Sequence, residues 1–131
     1  MDVFARFASD ETKEVGGVWR DIGDGARLLI ARSGNKQYAR LLQREIDANS
    51  RVLDLKNDAA EEMSAKIMTE VLATTVLLGW EGIKFKGDAM PYTVENARTL
   101  LGVKDFRKLV TELSSDFEAY RVQQEAALVK S

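Results

Sequence analysis

Apolar residues recur along this chain in blocks with different periods, and the periods predict the elements. Residues 15–31 read as a β-hairpin. Val15, Val18, Trp19 and Ile22 form one run and Ala26–Ala31 the other, with Gly23-Asp24-Gly25 between them. Asp-Gly suits a tight turn because both positions tolerate positive φ. Residues 36–51 then read as an amphipathic helix entered through Asn35, a good N-cap. Tyr38, Leu41, Leu42 and Ile46 cluster on one side of it. A third block, residues 57–78, starts on Asp58-Ala59-Ala60-Glu61, which has capping-box spacing. Its seam runs through Ala60, Met63, Ile67, Val71, Thr74 and Leu78. From Val71 onward every face is apolar or Thr, so this is the predicted central helix, ended by Gly79. Its β-branched residues leave a strand as the second reading.

Glycines punctuate residues 79–91, where a short hairpin around Ile83–Phe85 is expected. Thr93 is placed to cap a helix over residues 94–101, with Gly102 closing it. The last helix is predicted over residues 104–122 from the spacing of Phe106, Leu109, Val110, Leu113, Phe117 and Tyr120. After Arg121 the pattern fades, and residues 123–131 are expected to fray or to await a partner. The fold class that follows is α+β. It is a predominantly α-helical bundle of about four helices with an N-terminal β-hairpin, in one domain spanning residues 1–131.

Composition narrows the chemistry. The 131 residues include no His and no Cys. This removes disulfides, thiol catalysis and His-dependent triads or metal sites. No cofactor motif is present, and Gly23-Asp24-Gly25 lacks the remainder of a dinucleotide fingerprint. Glu61 and Glu62 are adjacent on a helix and diverge by about 100°, so they do not form a catalytic pair. They stand in a first turn, where acids favour the helix dipole. Glu81 with Asp88 is the other carboxylate pair considered. The expectation is a protein that is not an enzyme. The start of the sequence has no apolar signal region. The longest uncharged run, Val71–Trp80, is too short to span a bilayer. A cytoplasmic protein is expected.

The formal net charge of -2 argues against a general nucleic-acid binder, but its distribution is uneven. From Ala26 to Arg44 there are basic residues and no acidic one. On the helix predicted over 36–51, Lys36, Arg40, Arg44 and Arg51 fall within about 80° of each other. This stripe reads first as a solvated face and second as a docking site for an acidic protein surface or nucleic acid. No aromatic side chain lies on it, so the stacking platform of a single-strand binder is missing. Ile83 and Phe85 are candidates either for core packing or for an exposed anchor, and Trp80 is assigned to the core.

Several segments together carry a family likeness. Leu78-Gly79-Trp80-Glu81-Gly82-Ile83, then Gly87-Asp88, then Pro91-Tyr92-Thr93-Val94-Glu95-Asn96-Ala97 and Leu100-Leu101 follow one another in order. Gly17-Val18-Trp19, Asp24-Gly25-Ala26 and the stretch from Ile30 to Tyr38 precede them. This arrangement, over roughly residues 3–120, resembles the tail assembly chaperones of long-tailed bacteriophages and prophages. The resemblance implies a small, mainly helical protein of the bacterial host's cytoplasm, absent from the mature virion. It would bind and solubilise the tape-measure protein and help recruit the tail-tube protein. The resemblance also implies self-association into a homo-oligomer, and a short form of a gene product that frameshifting can extend. Under it, Lys36, Arg40, Arg44, Arg51, Ile83 and Phe85 are expected to flank a client or self-association surface. The competing readings are a phage structural component, such as a head–tail connector or tail-completion subunit, and a small nucleic-acid-binding regulator.

Overall fold

A computed structural model describes residues 1–122, so the reading of residues 123–131 lies outside the described residues. The fold is mixed α+β and mostly helical, with the expected N-terminal hairpin and a third strand added to it. Strands β1 (Val18–Gly23) and β2 (Ala26–Ile30) pair antiparallel, from Val18 opposite Ile30 to Gly23 opposite Ala26. The two-residue loop between them places both Asp24 (φ 54°) and Gly25 (φ 76°) at positive φ, as the Asp-Gly signal requires.

The hairpin is shorter at its start than expected. Val15 belongs to a helix, not to β1. Helices α1 (Val3–Phe7) and α2 (Glu11–Gly16) precede the sheet, where the hydrophobic pattern announced no element. Each is only a turn or so long and depends on its cap. Asp2 Oδ1 accepts from the amides of Phe4 and Ala5, and Asp10 Oδ1 from those of Thr12 and Lys13. Gly17 then turns the chain into β1 at φ 87°, and a Cβ there would lie 3.1 Å from the Leu29 side chain.

The helix predicted over residues 36–51 is interrupted. α3 (Lys36–Ala48) ends where Asn49 leaves helical geometry at φ -118°, ψ 19°, and α4 (Ser50–Asp54) starts beyond it. The Asn49 side-chain amide donates to the Glu45 carbonyl at 2.8 Å, competing with the backbone for the last turn.

The central helix α5 (Asp58–Thr75) is capped not by Asp58, as the capping-box spacing suggested, but by Asn57, whose Oδ1 accepts from the Ala60 amide at 3.1 Å, and Asp58 and Glu61 lie in the first turn. It stops three residues before the predicted end at 78. Residues Leu77–Glu81 form β3, antiparallel to β2, in a sheet of order β1-β2-β3. Gly79 is therefore not a helix terminator but sits within the strand, opposite Leu29. The register skips at Leu78, because Ile30 faces Leu77 while Leu29 faces Gly79. The strand character signalled by the β-branched run is realised just after that run. Val76 already lies outside α5, and its carbonyl accepts from the Ala31 amide at 2.8 Å.

The small hairpin of β4 (Lys84–Phe85) and β5 (Asp88–Ala89) forms where expected. So does α6 (Val94–Leu101), in which Thr93 Oγ1 accepts from the Asn96 amide at 2.9 Å. The final predicted helix is cut short. α7 (Lys104–Ser114) ends where the Ser114 and Ser115 hydroxyls both donate to the Thr111 carbonyl, and a 3-10 turn covers Phe117–Tyr120. Phe117 is thereby exposed, while Tyr120 is buried completely.

The core lies between the sheet, the second half of α5, α6 and α7. Leu28 and Ile30 of β2 meet Leu72, Val76, Leu77, Leu101 and Val110, all with essentially no exposure. Burying each such side chain is worth about 1.5–3 kcal/mol. The ends of the described chain are tied together across this unit. The Asp10 amide donates to the Tyr120 carbonyl and the Val122 amide to the Ala8 carbonyl.

Candidate interaction surfaces

The basic stripe is held by a buried cap. Asn35 is 4% exposed. Its Oδ1 accepts from the Tyr38 amide, and its Nδ2 donates to the carbonyls of Arg32 and Thr75. One side chain thus fixes the first turn of α3 to the last turn of α5. With that anchor, Tyr38, Leu41 and Leu42 face α5 and are half-buried, while Lys36, Arg40 and Arg44 face solvent. Arg40 and Arg44 line an open depression with Ala39, Gln43 and Asp47. Asp47 is an acid within the stripe, and Gln43 Nε2 donates to it at 2.9 Å. The break at Asn49 puts Arg51 on α4, outside the continuous helix on which the stripe was laid out.

The arginines outside this face are engaged. Arg20 bonds Asp116, Arg27 bonds Glu81 and Arg121 bonds Glu118. Arg32 lies 3.8 Å from Glu14, and Arg107 donates to the Leu101 carbonyl. Arg98 holds Glu70 through two bonds of 2.7 and 2.9 Å. This pairing keeps the Glu70 carboxyl below its usual range by hydrogen bonding. Arg6 lies over the Phe7 ring at 5.7 Å. Among the described residues Arg40, Arg44 and Arg51 have no such partner. Lys36 approaches Glu11 at 3.5 Å, but both side chains are more than three-quarters exposed, so the pair holds little.

Ile83 and Phe85 occupy a different place. Both are partly buried and pack on the rim of the core. Trp80 is core, as expected, and its indole N–H donates to the Met90 carbonyl at 2.7 Å. Tyr92 stands edge-on to Trp80 at 4.9 Å, and its hydroxyl donates to the Leu77 carbonyl. The hairpin is tied down by the Met90 amide, which donates to the Ile83 carbonyl. Gly82 packs so closely on the first hairpin that a Cβ would lie 2.4 Å from the Gly25 carbonyl oxygen. Ile83 lines a depression with Trp80, Lys84, Met90 and Pro91, which shares no residue with the one on α3. The six predicted residues therefore fall on separate surfaces. Lys36, Arg40 and Arg44 share one helix face, Arg51 follows on α4, and Ile83 with Phe85 edge the core. Of the carboxylate pair considered, Glu81 is engaged by Arg27 and Asp88 stands exposed on β5.

Two further surfaces went unpredicted. Val3, Phe4 and Phe7 of α1 are exposed, Phe4 at 68%, and Phe7 lines an open depression with Phe117. The spacing of these three apolar residues just after Asp2, a capping residue, was the available signal. On the outer face of the sheet, Trp19 lies against the flat backbone of Gly79, with the Arg27 guanidinium 4.2 Å above its ring. No single-sequence pattern marks that stack, because it needs three strands in register.

Among the described residues no helix is long and apolar enough to cross a membrane. A model of the family described as YdaY prophage protein matches residues 33–131, from just before the Asn35 cap to the last residue of the sequence. No curated protein and no solved structure matches the chain.

Proposed function

The chain belongs to the YdaY prophage protein family, and from that premise we propose that it is a tail assembly chaperone. In this reading it binds and solubilises the tape-measure protein in the host cytoplasm and helps bring tail-tube subunits to it. It works through surfaces, not as an enzyme. The observation that carries the reading is the incomplete burial of the α3–α4 arm. Neither helix contains a fully buried residue. Tyr38, Leu41, Leu42, Val52 and Leu53 are only partly buried, and Ile46 and Leu55 are 39% and 62% exposed. An amphipathic client helix laid along such an arm would complete the burial. A tape-measure protein, a long helical chain prone to aggregate before the tail closes on it, presents segments of this kind.

Co-expression tests the reading. A tape-measure fragment from the same prophage is expected in the soluble fraction only when this protein is present, and to co-purify with it. A fragment equally soluble alone and together overturns the reading. Mass spectrometry of purified virions separates it from a structural role. The chaperone is expected to be absent, and a stoichiometric signal would instead favour a connector or tail-completion subunit.

A further inference from the structure

Among the described residues Arg40, Arg44 and Arg51 have no ion-pair partner, on the same arm that leaves its apolar side chains only partly buried. We propose that α3 and α4 dock an acidic amphipathic helix of a partner protein. On the α3 surface, Ile46 and Ala39 lie on one flank of the exposed face and Arg40 and Arg44 on the other, about 130° apart. A helix lying along that face meets an apolar edge and a cationic edge at once. Its own apolar row would cover Ile46, and carboxylates three or four residues apart would meet Arg40 and Arg44, which share that spacing. Arginine suits this role because its guanidinium grips a carboxylate through two parallel bonds.

The same features disfavour nucleic acid. Asp47 stands within the stripe, no aromatic ring is there to stack a base, and one edge is apolar. The fold elsewhere pairs arginines with its own carboxylates and carbonyls. On this arm, among the described residues, even Asp47 in the same depression forms no ion pair with Arg40 or Arg44, so both guanidinium groups are open to a partner's carboxylates. The inference rests on the chaperone reading only for where the helix comes from.

The test uses the full chain and a fluorescein-labelled helical peptide of about 20 residues, long enough to hold a helix. It carries Leu at the a and d heptad positions and Glu at e and g, and a second peptide has Lys in place of Glu. The acidic peptide is expected to bind at least about tenfold more tightly than the basic one. That preference should shrink as salt rises. Arg40→Glu with Arg44→Glu should weaken the acidic peptide about tenfold or more and leave the circular dichroism spectrum unchanged. Lys108→Glu, an exposed charge on α7, should change nothing. If the double reversal unfolds the chain, Arg40→Gln with Arg44→Gln gives the same reading with a smaller change.

Four results overturn the proposal. These are equal binding of the two peptides, an equal loss from Lys108→Glu, binding of a DNA oligonucleotide in place of the peptide, and a wild-type dimer that the reversal dissociates. The last would mean that a second copy already covers the arginines. The two readings fail separately. If the reversed variant still solubilises the tape-measure fragment as well as wild type, the docking surface is wrong and the chaperone stands. If the peptide behaves as expected but no fragment is rescued, the chaperone is wrong and the docking surface stands.

Discussion

The two ends of α5 are buried to different degrees. Its last five residues, Val71 to Thr75, lie against the sheet, α6 and α7, and all but Thr74 are buried. The longer part before them, Asp58 to Glu70, packs with α3 and α4 and reaches α6 through Thr69 and Glu70, and there only Ala60 and Ile67 are buried. One continuous helix thus joins a finished core to an unfinished one. The sheet end is closed by non-local hydrogen bonds, such as Tyr120 Oη to the Ile30 carbonyl across 90 residues of sequence. The arm is tied mainly through Asn35 and half-buried apolar contacts. Stability therefore resides at one end, and the other end keeps apolar surface and charge available for a partner.

Truncation should expose this contrast most strongly. Leu28→Ala removes a side chain with no exposure from between the sheet and the helices, and a loss of about 2–5 kcal/mol in urea unfolding is expected. Leu42→Ala makes the same chemical change on the arm, where the side chain is only partly buried and the cavity opens to water. Its cost should fall well below that of Leu28→Ala. Equal losses would show that the arm is as well packed as the core.

A smaller effect separates the ends by pH. The Tyr120 hydroxyl is fully buried, and its pKa is pushed up to about 12, chiefly by desolvation. An unfolded tyrosine titrates near 10, so the folded state holds this proton more tightly. The stabilisation is complete below pH 10 and is lost as pH rises through 12. Tyr120→Phe should therefore lower stability at neutral pH by about 1 kcal/mol, the worth of the hydrogen bond to Ile30. It should also flatten the alkaline limb of the stability profile. A wild-type alkaline limb retained in Tyr120→Phe would remove Tyr120 as its source.

How much of this was legible in the sequence depends on range. Features decided within a few residues were readable. The Asp24-Gly25 turn, the Asn35 and Thr93 caps, the helix at Val94–Leu101 and the Ile83–Phe85 hairpin are of this kind. Trp80 was also placed correctly, because an aromatic at the end of an apolar run has few other destinations. Features decided by tertiary partners were not readable. Leu77–Glu81 continues the apolar run of α5 and has no period of its own; only the free edge of β2 makes it a strand. The breaks at Asn49 and Ser114 come from side chains that bond the backbone in competition with the helix, which a hydrophobic pattern does not register. The candidate stripe was legible in part. Lys36, Arg40 and Arg44 share a face because α3 is regular there, while Arg51 was placed by extending that helix through a break. What no count of charges could reveal is that, among the described residues, the other arginines find partners and these do not.

That asymmetry supports the smallest expected effect. Arg98 grips Glu70 through two hydrogen bonds between α6 and α5, at the finished end of the molecule. Arg98→Gln should lower stability measurably and move the acid limb. The Glu70 carboxyl, held down by Arg98, gives stability that is present above the usual carboxylate range and lost as pH falls through its lowered pKa. Removing Arg98 brings that carboxyl back toward its ordinary value, so the acid dependence should flatten. Arg40→Gln with Arg44→Gln removes two charges of the same kind from the arm, where neither forms an ion pair among the described residues. The urea midpoint and the acid limb should both stay where they were. The two variants compared in the same buffer therefore separate arginines that hold the fold from arginines that the fold only displays. A drop in midpoint for Arg40→Gln with Arg44→Gln matching that of Arg98→Gln would mean that the arm uses its charges internally, and its face would no longer be free for a partner.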